Sequence, residues 1–221
     1  MKEITLEDIK KIPKVVSYLK AADDYLGAIG YTEHGFRHAN IVANLSKNIL
    51  LHLGFESRYV RLVAIAGYLH DIGNVVNREN HIPASALIAM DVLEELGMSP
   101  DDISLIMSAI GNHEEPHGEP VNAVAAALIL ADKADVHRSR VRNPQLISLD
   151  IHDRVNYAVE RSFLRIDAEK KKISLELNID TDISQVMEYF EIFLSRMLIC
   201  KKAAKFLKTD FDLYINEIKL L

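Results

Sequence analysis

Leu69-His70-Asp71-Ile72-Gly73-Asn74 sets an imidazole beside a carboxylate at the end of the apolar run Leu62-Val63-Ala64-Ile65-Ala66-Gly67-Tyr68. Neighbours on a continuing helix diverge by about 100°, so both cannot lie on one buried stripe. At a helix end that opens into a glycine turn both can face one point, where a neutral imidazole and a carboxylate suit a borderline or hard divalent cation. Taken alone, the pair reads more simply as a satisfied pair at a helix C-terminus, where the dipole favours the histidine. More groups of the same kind change that balance: His38, His81, His113 and Asp132 each sit at the end or on the inner stripe of an expected helix. Four imidazoles and two carboxylates without sulfur make a nitrogen–oxygen site for iron, manganese, cobalt, nickel or zinc. Asp71 has two oxygens and can bridge two ions, which suits phosphoester hydrolysis. One or two divalent ions are therefore expected.

The elements that must position these groups are mostly helical. A helix over 6–29 has Thr5 as N-cap, a break at Pro13 and a stop at Gly30. After His34 and His38, which would share a face on a continuous helix, Ile41, Val42, Leu45, Ile49 and Leu53 point inward as far as Gly54. Residues 56–69 deliver His70 and Asp71. Asn80-His81-Ile82-Pro83 opens the next helix, and Ser99-Pro100-Asp101-Asp102 opens another that arrives at His113-Glu114-Glu115. Val121 to Leu130 is apolar on almost every side, as a central helix would be. Asp132 leaves that segment and needs a strong partner, because an unpaired buried carboxylate costs several kcal/mol; a metal, Lys133 or an interhelical ion pair would serve. The helix is expected to continue to Arg142, placing Lys133, His137 and Arg140 on one side. That strip, with Arg37 as a further cation, is a candidate grip for substrate phosphates or else a solvated face.

Beyond residue 147 the texture changes. Strand-like patterns over about 155–166 and 172–179, a helix over 183–207 capped by Thr181-Asp182, and a strand through Phe211, Leu213 and Ile215 give a small ββαβ unit. The expected fold is thus an all-α bundle over 1–147 with an α+β unit over 148–221. None of the six candidate ligands lies in that unit, and its open strand edges favour a homo-oligomer or coverage by the helices. A net charge of −6 argues against a general nucleic-acid binder. The single cysteine, Cys200, excludes an internal disulfide framework and a cysteine-based zinc site. Residues 1–8 hold no hydrophobic signal core, and no apolar run approaches the ~18 residues of a membrane span. A cytoplasmic protein with no membrane association is expected.

Quoted in order as His38, His70-Asp71 and Asp132, the pattern H…HD…D resembles the HD superfamily of metal-dependent phosphohydrolases. "EHGFRHANIV" is similar to that family's first-histidine helix, "AGYLHDIGN" to its HD turn and "LILADKAD" to its last-aspartate helix, so the likeness spans roughly 30–142. Binuclear members add two histidines between the HD and the last Asp, where His81 and His113 stand. The resemblance implies a binuclear site of His38, His70, Asp71, His81, His113 and Asp132, with Asp71 bridging two ions and a metal-activated water attacking phosphorus. It further implies a small phosphorylated or nucleotide substrate, with His34, Lys133 or Arg140 stabilising charge on the phosphoryl oxygens. His38 is preferred to His34 as first ligand because Val42 follows it by four, as in the family's HxxxV helix. Asn74 stands where HD-GYP members have lysine and no Gly-Tyr-Pro follows, so cyclic di-GMP is not implied; the Glu-Asp pair of guanosine tetraphosphate hydrolases is absent too. Two alternatives stay open: a di-iron oxygenase of the same fold, and a non-catalytic nucleotide-binding sensor.

Overall fold

A computed structural model describes residues 3–221; Met1 and Lys2, part of the stretch read for a signal core, lie outside the described residues. Helix α1 (Leu6–Ile9) is started by a reciprocal capping box between Thr5 and Asp8, and α2 (Pro13–Ala28) has its proline in the first turn, where no N–H is missed. Then come α3 (Phe36–His52), α4 (Ser57–Leu69), a 3₁₀ turn at Ile72–Val75 and α5 (His81–Glu95). Helix α6 (Pro100–Gly111) is capped by Ser99, and α7 (Ala123–Lys133) by Asn122, whose side chain accepts from the Ala125 N–H. Every residue of α7 from Val124 to Ala131 is buried, and α3, α4, α6 and α9 (Val186–Phe206) all pack on it. A helix with no polar side is stable only as the centre of such a bundle.

Two glycines permit close approaches that set the site. A Cβ on Gly67 would stand 2.9 Å from the Ala43 Cα, so its bare backbone lets α4 lie directly on α3. A Cβ on Gly73 would stand 2.2 Å from the His81 carbonyl oxygen and 2.3 Å from the Ser85 nitrogen. The turn after Asp71 therefore docks on the first turn of α5, where the Gly73 N–H donates to Ser85 Oγ at 2.7 Å.

In the C-terminal part, α8 (Ile151–Ala158) precedes β1 (Val159–Asp167), β2 (Lys172–Ile179), α9, β3 (Asp210–Ile215) and β4 (Ile218–Lys219). The sheet order is β1-β2-β3-β4; β2 pairs antiparallel with β1 and parallel with β3, and α9 is the crossover. Ile173, Leu175 and Leu177 sit opposite Phe211, Leu213 and Ile215, which is the alternation expected from the sequence. Three expectations need correction. Residues 155–158 are helical, because Asp150 caps a turn whose Val155 and Ala158 are buried. Helix α9 starts at Val186 through a Gln185–Glu188 capping box, not at Thr181-Asp182. A short fourth strand follows a turn in which Asn216 and Glu217 both adopt positive φ. The buried apolar cluster runs without interruption from the bundle into this sheet and α9, and no helix of the described residues is long and apolar enough to cross a membrane.

Candidate metal centre

Five helix ends deliver the histidines and aspartates to one place. His38 lies in the first turn of α3, His70 and Asp71 follow α4, His81 begins α5, His113 follows α6, and Asp132 lies in the last turn of α7. His38 Nε2 is 3.2 Å from His70 Nε2, 3.7 Å from Asp71 Oδ2 and 3.3 Å from Asp132 Oδ1. His70 Nε2 is 3.4 Å from Asp71 Oδ2 and 3.7 Å from Asp132 Oδ1. On the other side of Asp71, Oδ1 is 3.4 Å from His81 Nε2 and 4.0 Å from His113 Nε2. Donors about 2.1 Å from a common ion lie about 3.0–3.4 Å from one another in octahedral or tetrahedral geometry. The His38–His70–Asp71–Asp132 set is close to that spacing, and the two oxygens of Asp71 face different histidine groups.

The second nitrogen of each ring fixes which atom faces inward. His38 Nδ1 is 2.7 Å from Asp135 Oδ2. His70, His81 and His113 each direct Nδ1 to the carbonyl three residues earlier: Gly67 at 2.8 Å, Arg78 at 2.8 Å and Ile110 at 2.6 Å. Each neutral ring therefore keeps its N–H on Nδ1 and presents the Nε2 lone pair to the centre. Four lone pairs and two carboxylates, all buried except the half-buried Asp132, face one another. A cation is what such a donor set fits.

Without a metal ion, a proton held on His70 supplies the positive charge between the two carboxylates. Burial disfavours charge on every group here, but His70, His34 and His81 together outweigh it for Asp71, and the Lys133 ammonium with His38 and His70 does so for Asp132; both carboxyls lie well below the usual range. Against its burial, the Asp71 and Asp132 carboxylates lift His70 to about 10. Burial and the charge on His70 push His113 down to about 4. His34 is driven well below its ordinary value by burial and by Arg140; with Nδ1 on the Thr32 carbonyl at 2.7 Å it presents an acceptor at Nε2.

The expected cationic strip is not formed, because α7 ends at Lys133. The chain then turns so that Asp135 reaches back to His38 and Arg37, and a separate 3₁₀ turn holds Arg138–Arg140. Lys133 is buried and donates to Asp132 Oδ2 at 2.7 Å, which leaves Asp132 Oδ1 toward the histidines. Arg140 is also buried; it donates to the Glu33 and Asp135 carbonyls while lining the chamber. His137 turns away, to Ser139 and the Glu160 carbonyl. Arg37 is spent on Asp135 in a two-pronged pair at 3.1 Å. His34 precedes α3, which starts at Phe36, so it does not share a helical face with His38; it nonetheless lines the chamber beside Asp71.

Sequence reasoning missed several neighbours. Asp135 orients His38 and is held by Arg37 and Arg140. Glu114 Oε2 is 3.3 Å from His81 Nε2, and its other oxygen accepts from Arg78 at 2.7 Å. Glu115 joins Lys133 to Arg196 of α9, at 3.3 Å each. The repeated Asp in Asp132-Lys133-Ala134-Asp135 and the acidic pair after His113 were signals in plain view; Arg78 and Arg196 carried none.

Residues 35–139 match the family model described as HD domain. The chain is also 28% identical over 207 residues to uncharacterized protein MJ1020 of Methanocaldococcus jannaschii, a match covering 82% of this chain and 79% of that one. The histidines and aspartates that converge at the helix ends, from His38 to Asp132, all fall inside the matched span, so residues 35–139 of this chain form an HD domain.

Proposed function

We propose that the protein is a metal-dependent phosphohydrolase acting on a small phosphorylated or nucleotide substrate. The observation that carries the reading is the set of four imidazoles whose Nδ1 atoms are all engaged, leaving four Nε2 lone pairs converged on Asp71 and Asp132. His38, His70, Asp71 Oδ2 and Asp132 Oδ1 would hold one divalent ion, and Asp71 Oδ1, His81 and His113 a second. When bound, such ions lower the pKa of water and polarise phosphoryl oxygens. The chain's own residues supply the rest. Lys133 neutralises the outer oxygen of Asp132 and adds positive charge to the chamber wall. Arg140, rigidly held, contributes its field to the same wall. His34, kept neutral by burial and Arg140 with Nδ1 on the Thr32 carbonyl, can accept at Nε2 a hydrogen bond from a water or hydroxyl in the chamber. The inner chamber is about 20 Å³, room for about one water between the side chains. A cytoplasmic location belongs to the same reading, supported by the buried lone cysteine.

The test is a screen of phosphomonoesters, phosphodiesters and nucleotides with manganese, iron, cobalt, nickel and zinc, alongside metal analysis of the purified protein. Between one and two ions per chain and turnover of at least one ester class are expected, with His70→Ala and Asp71→Ala losing most of both. Full metal occupancy in those two variants would sink the assignment.

A further inference from the structure

An outer cleft of about 380 Å³ borders the small inner chamber, and His34, Arg78, Arg140 and Arg196 line both. These four side chains mark the passage from one to the other. Three come from the helical part; Arg196 comes from α9 of the C-terminal unit and lies outside the matched span.

The cations at the passage are not equivalent. Arg140 commits Nε and Nη2 to the Glu33 carbonyl and Nη1 to that of Asp135. Arg78 gives Nη2 to Glu114 and sets Nη1 against His81. Lys133 is consumed by Asp132 and Glu115. Arg196 pairs through Nε with Glu115 Oε1 at 3.3 Å and lies over the Phe193 ring, 4.4 Å from its centroid. Its two terminal nitrogens have no hydrogen-bond partner among the described residues, and its side chain keeps 25% of its exposure. A guanidinium held at Nε and stacked on a ring is already oriented, so little entropy is lost when its free donors engage a ligand. Those donors match two oxygens of a phosphate.

We propose that Arg196 is a substrate-binding residue whose terminal nitrogens grip the non-reacting phosphate oxygens at the passage, making the C-terminal unit part of the active site. The proposal rests on the phosphohydrolase reading. It also assigns the outer cleft, walled on one side by Asp153 and Asn156 of α8, to the remainder of the substrate.

The test is calorimetric titration of the metal-loaded, full-length protein with inorganic phosphate, with metal content measured in parallel. Charge-assisted hydrogen bonds of this kind correspond to about ten- to hundredfold in affinity. Arg196→Gln should weaken phosphate binding by that factor while keeping its metal, and Arg196→Lys should recover only part. Glu115→Gln, which keeps an acceptor for Arg196 Nε but removes its charge, should bind phosphate within a fewfold of the parent protein. Unchanged affinity in Arg196→Gln overturns the proposal, as does loss of its metal. Equal weakening in Glu115→Gln also overturns it, by reducing Arg196 to a support for Glu115. Absence of phosphate binding and of ester cleavage in the parent protein would instead bring down the functional reading and this proposal together.

Discussion

At the scale of single residues, the most informative group beyond the candidate ligands is Asp135. Its carboxylate accepts from His38 at 2.7 Å and from both terminal nitrogens of Arg37 at 3.1 Å. Burial would raise its pKa, but His38, Arg140 and Arg37 hold the carboxyl far below the usual carboxylate range. It is therefore charged whenever the protein is folded near neutral pH, and it fixes the His38 tautomer. Replacing it with asparagine keeps the shape but removes the charge and sets an amide donor beside Nδ1. Loss of such an orienting partner typically costs 10–100-fold in metal affinity. Asp135→Asn should therefore bind metal about 10–100-fold more weakly, as read by chelator competition, while far-ultraviolet circular dichroism stays native. Undiminished affinity would mean that His38 needs no orienting carboxylate. The convergence of the candidate ligands was legible in the sequence because helix ends are: Asn80-His81-Ile82-Pro83 and Ser99-Pro100 announce where helices start, and glycines mark where they stop. Arg78 and Arg196 were not legible, since an arginine on a half-buried surface carries no local sign of what it will face across the fold.

At the scale of elements, the site depends on how closely helices can meet. The dock between the 3₁₀ turn after Asp71 and the first turn of α5 sets the distance from Asp71 to His81, and it tolerates no side chain at residue 73. Gly73→Ala should force the start of α5 outward, at a cost of about 1–3 kcal/mol or more from overpacking. The expected result is a lower melting temperature together with reduced metal content, because His81 moves with its helix. A variant with unchanged metal content would show that His81 is dispensable. The strand pattern of β2 was readable because one face is buried and a period of two follows directly. The end of α7 was not. Residues 133–142 are rich in helix-compatible side chains, and only the long-range demands of His38, Arg37 and Glu33 on Asp135 and Arg140 pull the chain out of the helix.

At the scale of the whole molecule, the two parts distinguished by sequence texture share one apolar interior. Tyr189, Phe193 and Met197 of α9 are each buried to 2% exposure or less. At about 1.5–3 kcal/mol for each large apolar side chain, their burial alone is comparable with the 5–15 kcal/mol that stabilises an ordinary domain. Although 148–221 contains no candidate ligand, the two parts should melt together. Scanning calorimetry of the full chain should give one transition with equal calorimetric and van't Hoff enthalpies. A chain ending at residue 147 should aggregate or melt far lower, because α7 loses the cover of α9. Two resolved transitions would make the C-terminal unit an independent module.

The division of labour around the passage has an evolutionary consequence. The atoms that would hold metal are anchored by carbonyls and glycines of the bundle, whereas the far wall of the outer cleft comes from α8 and α9. Drift in the second set can retune which molecule is accepted without retuning the chemistry. Paralogues of this architecture should therefore diversify fastest along the α8 and α9 surfaces facing the cleft, while the turn at residues 70–74 stays nearly frozen.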